Sequence, residues 1–227
     1  MAGGLLARLF YALPLEAGAA ARVAELVAPL RTDFPRARWA SPETYHLTLL
    51  FLGDVPAEAS AETQAALALA GSEAEPFDCR LSHSGGFGGG RRDRVAWLGL
   101  DDTAADRCAV LASALREGLA RSRVPAVQEA LERAGRGPFR AHLTLCRRAT
   151  PPLEGELARR LAREEPIGWR VASIELLSSR LLAGGPDHTV LQRAALGRTG
   201  QALPSAEHRG VADGVDHGPG AEAAEGS

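Results

Sequence analysis

Apolar and polar residues alternate in the same four-letter frame at two places, "HLTL" at 46–49 and again at 142–145. In a strand, successive side chains point to opposite faces, so His46 and Thr48 share one face and Leu47 and Leu49 the other. The same holds for His142 and Thr144 against Leu143 and Leu145. Around these motifs the pattern switches repeatedly between strand and helix periods. Strands are predicted at 7–15, 45–54, 77–85, 93–100 and 139–148, with a closing hairpin from 169–182 and 188–196. Helices are predicted at 16–31, 56–70, 103–122 and 151–165. "GGFGGGRR" (85–92) is too glycine-rich for a regular element and reads as a flexible hairpin connection.

The strand–helix–strand order therefore occurs twice, each copy carrying one HLTL. This predicts an α+β fold of two pseudo-symmetric lobes, each an antiparallel sheet flanked by helices, with a groove between them. The expected domain is 1–196. The remainder, 197–227, is rich in Gly, Ala and acidic residues without periodicity and reads as a disordered tail. Its His208, His217, Asp213 and Asp216 lack an element that would fix metal-ligand geometry.

The 227 residues are 45% hydrophobic and 24% charged, ordinary for a globular chain. No window approaches the ~18 apolar residues of a membrane span. The first residues, "MAGGLLARLFYALPLEAG", are interrupted by Arg8 and have no basic lead, so a cytoplasmic protein without a secretory signal is expected. Cys79, Cys108 and Cys146 are odd in number and share no C-x-x-C spacing, which argues against disulfides and a zinc ribbon. All 26 basic residues are arginine. Without lysine the chain can form neither a P-loop nor the nucleotidyl-lysine of an ATP-dependent ligase. The tail from Arg198 onward holds two arginines and five acidic residues, so residues 1–197 carry about +1 of the overall −2. A nucleic acid would have to be gripped locally rather than by a broad basic surface.

Each HLTL presents an imidazole beside a hydroxyl on a rigid strand anchored by leucines. A duplicated strand without chemistry needs its leucines for the core, but not the His and Thr as well. Two imidazoles suit general acid–base work near neutral pH, because one can be neutral while the other is protonated. Thr48 and Thr144 can donate to the non-bridging oxygens of a phosphate. Such chemistry requires no metal, and no H-x-H, H-E-x-x-H or carboxylate cluster accompanies the histidines. No cofactor is expected.

At these residues the chain resembles the two-histidine (2H) phosphoesterases, and among them the RNA 2′,3′-cyclic phosphodiesterases, also called 2′-5′ RNA ligases. The likeness covers about residues 5–196. "RWASPETYHLTLLFLGDV" is similar to the family's first-motif segment, and "GGFGGGRRDRVAWLGL" to its Phe-Gly loop and Trp-containing strand. "FRAHLTLCR" resembles its second motif with a trailing arginine, and "LLSSRLLAGGPDHTVL" its C-terminal hairpin. Two departures are Ala141, where proline is common, and His188, where tyrosine is common.

The resemblance implies that His46 gives a proton to the leaving oxygen and that His142 is the base that activates water. A 2′,3′-cyclic phosphate at an RNA end, tRNA-like fragments included, would open to a 2′-phosphomonoester. A 5′-hydroxyl RNA in place of water would give reversible 2′-5′ ligation without ATP. It also implies a phosphate contact for Arg147, although simple alternation from Thr144 puts that side chain on the opposite face. Phe87 could stack on a base. Arg91, Arg92 and Arg94 could follow the RNA backbone or be solvated, and His83 reads as structural. Two other readings remain: a phosphodiesterase for small cyclic nucleotides or ADP-ribose cyclic phosphate, and a nucleotide- or RNA-binding module without turnover. Neither a membrane nor an obligate protein partner is implied.

Overall fold

The computed structural model describes residues 6–88, 94–135, 137, 139–182 and 185–197. Its first half runs β1 (Leu6–Pro14), α1 (Ala17–Asp33), β2 (Arg38–Trp39), β3 (His46–Pro56), α2 (Ser60–Glu73) and β4 (Phe77–Phe87). Its second half runs β5 (Val95–Leu100), α3 (Asp102–Ala120), α4 (Pro125–Arg133), β6 (His142–Arg147) and α5 (Pro151–Leu161). Three strands close the chain, β7 (Gly168–Val171), β8 (Ser173–Leu182) and β9 (Gly185–Ala195).

The strands form one curled antiparallel sheet in the order β7-β4-β5-β6-β3-β1-β8-β9, with β2 added to β6. At its centre the two HLTL strands pair antiparallel through Leu47 opposite Leu143. On either side of that junction lies a four-strand lobe, β3-β1-β8-β9 and β6-β5-β4-β7. The two lobes are as expected, but the chain does not build them one after the other. The strand after α2, β4, crosses to pair with β5, and after α5 the chain returns to place β8 beside β1. Each lobe thereby includes strand from the other half of the sequence, β4 in one and β8 with β9 in the other.

Several predicted boundaries shift for physical reasons. The segment 56–70 opens as a short 3-10 turn at Ala57–Ala59 before α2 begins. The expected strand 169–182 is broken at Ala172 because its two pieces pair with different neighbours, β7 with β4 and β8 with β1. The strand 139–148 begins only at His142. β4 continues through Gly85 and Gly86 to Phe87, so the first three residues of the presumed flexible connection are strand. α4, opened by Pro125 at its first turn and burying Val127 and Ala130, was not predicted. Apart from Gly197, the expected tail lies outside the described residues.

Helices cover one face of the sheet. α2 packs on β8 and β9, α5 on β4, and α3 and α4 on β3. That face carries Leu9, Tyr11 and Leu13 of β1, Leu47, Leu49 and Leu50 of β3, Ala96, Leu98 and Leu100 of β5, and Leu143 and Leu145 of β6. Leu47 and Leu143 are 0% exposed, and full burial of a leucine is worth about 1.5–3 kcal/mol. The three cysteines are buried and unpaired. α3 is capped by the Asp101 carboxylate, which accepts from Ala104 N–H at 3.1 Å. The opposite, concave face of the sheet is left for the polar residues of the motifs.

Candidate active site

The Leu47–Leu143 pair fixes how the motifs meet. Continuing its antiparallel register places His46 across from Thr144, and Thr48 across from His142, all on the concave face. The strands share only this pair, so they diverge on either side of it and leave space between the two walls. All four residues expected to carry the chemistry are thus brought together. Among the described residues, no helix is long and apolar enough to cross a membrane.

A β-bulge follows each motif. In the β1–β3 ladder Ala12 faces Thr48 and Tyr11 faces Leu50, leaving Leu49 unpaired. In the β5–β6 ladder Trp97 faces Thr144 and Ala96 faces Cys146, leaving Leu145 unpaired. Each extra residue lets two consecutive side chains enter the core, Leu49 with Leu50 and Leu145 with Cys146. Alternation is reset by one position. Arg147, placed by simple alternation on the far face, therefore lies opposite Val95 on the same face as Trp97 and Thr144. Phe51 occupies the equivalent place on the β3 wall. Arg38, which sequence reasoning did not single out, faces Arg147 across β2 and joins it at this end of the groove.

His46 is tied at both ring nitrogens. Nδ1–H donates to the Thr44 carbonyl at 2.7 Å, which leaves Nε2 to accept from the Thr48 hydroxyl at 3.0 Å. Its ring lies 5.0 Å from Phe10 and 5.3 Å from His188. Phe10, Ala12 and Leu177 form a small apolar floor beneath it, separate from the main core. Burial holds His46 down to about 4; the Thr44 carbonyl opposes this, and nearby His188 and His142 add to it.

His142 repeats the arrangement in part. Its Nδ1–H donates to the Arg140 carbonyl at 2.8 Å. Its ring meets Phe87 edge-on at 4.8 Å and lies 6.2 Å from Trp97. Burial lowers its pKa; the Arg140 carbonyl opposes this and the Arg140 guanidinium adds to it. Phe87 stacks on Trp97 at 5.1 Å, so it is built into the His142 wall. That stack depends on Gly85, where any side chain would collide with the Trp97 indole. The glycine-rich run thus gives the wall a close strand-to-indole approach.

The remaining candidates fall into place around this centre. His83 faces Gly99 on the concave side, edge-on to Trp97 at 5.6 Å, with Nδ1 bonded to Ser82 Oγ at 2.9 Å. Arg94 forms a double hydrogen bond with Glu154 of α5 at 2.5 and 2.8 Å, which ties it to the scaffold instead of leaving it for an RNA backbone. Arg91 and Arg92 lie outside the described residues. No group of three or more His, Cys, Asp or Glu side chains gathers to hold a metal among the described residues.

A family model described as the 2′-5′ RNA ligase superfamily matches residues 15–181, most of the chain. The chain belongs to that superfamily. A superfamily relative from Thermus thermophilus, named RNA 2′,3′-cyclic phosphodiesterase, is 36% identical over 203 residues, covering 83% of this chain and 90% of the relative. One of the same name from Geobacillus stearothermophilus is 28% identical over 204 residues; the match covers 86% of this chain but 60% of that longer protein. Among solved structures, one of a Thermus thermophilus protein superposes with a TM-score of 0.68 at 30% identity, covering 86% of this chain and all of that one. E. coli LigT complexed with 3′-AMP gives 0.56 at 27% identity, covering 85% and 99%. The fold predicted from the duplicated motif is thus the superfamily's.

Proposed function

We propose that the groove hydrolyses RNA 2′,3′-cyclic phosphate termini to 2′-phosphomonoesters by paired histidine catalysis without a metal. The observation that carries the reading is the Leu47–Leu143 pairing, which sets two imidazoles and two hydroxyls around one space. Relatives named for this activity support the choice of substrate.

With their Nδ1–H groups tied to carbonyls, both free imidazoles present a basic Nε2. His142 is the base. Its Nε2 takes a proton from water, the water oxygen bonds to phosphorus, and the P–O3′ bond breaks. His46, protonated in the complex, gives its Nε2 proton to O3′. His142 is left protonated and His46 neutral, and exchange with solvent restores both. Thr48, Thr144 and Arg147 hold the non-bridging oxygens, while Phe87 borders the site.

His46 needs help to be an acid, because its pKa in the free groove is about 4. The substrate supplies it. One negative charge ~4 Å away in a medium of effective dielectric ~20 contributes about 4 kcal/mol, or about three pKa units. The bound phosphate thus raises His46 toward the range in which it can hold a proton near neutral pH. With a 5′-hydroxyl RNA as nucleophile the same groups give 2′-5′ ligation.

The test is an RNA oligonucleotide ending in a 2′,3′-cyclic phosphate, incubated in excess EDTA with wild type, His46→Ala and His142→Ala. Opening to a 2′-phosphate, suppressed by either substitution by about 10²–10⁴-fold, is expected. Cleavage of mononucleotide cyclic phosphates but not RNA would move the substrate to small nucleotides. Intact ends throughout would reduce the groove to a binding site.

A further inference from the structure

A third imidazole enters the groove from a strand that carries no HLTL. His188 lies on β9, opposite Ser179 of β8, which itself faces Arg8 of β1. The curl of the sheet nevertheless brings its ring to 5.0 Å from Phe10 and 5.3 Å from His46, perpendicular to the latter. Phe10 is the shared support of both imidazoles. Neither nitrogen of His188 has a hydrogen-bond partner among the described residues, and Nδ1 is shut off from solvent.

That orphan fixes the tautomer. A buried N–H without an acceptor is costlier and rarer than a buried lone pair, so the proton of neutral His188 belongs on Nε2. His46 and His142 have the opposite tautomer, with Nδ1–H bonded to a carbonyl and a bare Nε2. Beside His46, whose Nε2 accepts in the free groove, the β3 wall therefore carries a ring whose tip donates. The same wall has Phe51 where the β6 wall has Arg147, so its own strand brings no cation to the phosphate.

We propose that His188 is a substrate-binding residue, its Nε2–H donating to a non-bridging phosphoryl oxygen on the His46 side, in the part that Arg147 plays on the other wall. The inference rests on the phosphate chemistry proposed above. It makes His188 a determinant of substrate affinity distinct from the acid and the base.

Long-range ¹H–¹⁵N spectra of the wild-type imidazoles, with His188 assigned from its absence in His188→Gln, are expected to show His188 protonated on Nε2 and His46 and His142 on Nδ1. An Nδ1–H tautomer at His188 would overturn the proposal. In kinetics, His188→Phe is expected to raise KM about tenfold or more with kcat changed by no more than about threefold, the loss of one hydrogen bond to a charged oxygen. His188→Gln, whose amide can donate in the same place, is expected to recover most of it. An unchanged KM, or a fall in kcat alone, overturns the proposal by making the ring a support for His46. If wild type turns over no cyclic phosphate, the functional reading falls separately, and binding of adenosine 2′-monophosphate decides His188. Weaker binding by His188→Phe upholds it and equal binding overturns it. Should that variant fail to fold, the wild-type His188 Nε2 signal on adding the same nucleotide is decisive, a shift supporting the contact and no shift removing it.

Discussion

On the β3 wall His46 lies against Phe10 and His188 and is bonded at both nitrogens; on the β6 wall His142 lies against Phe87 and Trp97 and only its Nδ1 is bonded. The backbones are near copies, each with HLTL, a bulge after the threonine, and a groove-facing residue five positions beyond the histidine. Chemical asymmetry has been added by the residues beyond each motif and by what the neighbouring strands bring. Phe51 against Arg147 is the simplest instance, since equivalent backbone positions carry an exposed ring on one wall and a cation on the other. A symmetric frame could hold a phosphate from two sides, but the acid and base proposed for it must differ, and the two imidazoles do differ, in desolvation and partners rather than in the motif.

The largest effect that would break this comparison is loss of Arg147. Arg147→Ala is expected to raise KM for a cyclic-phosphate RNA end by about 10–100-fold, the range for a hydrogen bond to a charged group. Phe51→Ala should change it by no more than about threefold, because an exposed ring offers phosphate no donor. Steady-state kinetics on the two variants decides the matter. Equal effects at the two positions would mean that the walls bind phosphate alike.

That arginine also marks where sequence reading stopped. The HLTL faces were legible because strict alternation holds from His46 to Leu49 and from His142 to Leu145. Alternation alone misplaces Arg147, which only the family resemblance put at the phosphate, because one unpaired leucine resets the period, and the only local sign is two consecutive core residues, Leu145 and Cys146, after the alternation. The lobes were legible from the repeated element order. The exchange of β4 and β8 between them was not, since it depends on pairings distant in sequence. His188 was visible only as a departure from a family pattern; its place beside His46 needs the curl of four strands. α4 was overlooked although Val124-Pro125 before Val127, Ala130 and Leu131 is a helix-start pattern.

A smaller effect separates the walls by pH. In the proposed mechanism His46, at about 4 in the free protein, is the group that must be protonated, and His142, lowered from its ordinary 6.5 by burial, is the one that must be neutral. Above the His142 pKa, further base is not gained while protonated His46 keeps falling, so kcat/KM should decline toward neutral pH. In the complex the phosphate raises His46, so kcat should hold to higher pH, its alkaline limb displaced upward by about one to three units. The two limbs report the coupled pair, not isolated residues. Coincident limbs for kcat and kcat/KM would show that phosphate does not recharge His46, and would shift the acid's part to another group.

The smallest effect tests the threonines. Thr48 donates to His46 Nε2 at 3.0 Å while that nitrogen is unprotonated, and protonation would force the hydroxyl to turn and accept instead, so its donor orientation favours the neutral ring. Thr144 makes no such bond to His142 among the described residues. Thr48→Val keeps the β-branched shape in the strand and removes the donor, so the His46 pKa should rise, by less than about one unit for a neutral hydrogen bond of ~0.5–1.5 kcal/mol. Thr144→Val should leave His142 where it is. NMR titration of the imidazole carbons in the free protein reads both. A rise confined to His46 means that its threonine holds the acid uncharged until a phosphate draws the hydroxyl away, coupling proton uptake to substrate arrival on one wall only; equal shifts on both walls would remove that asymmetry.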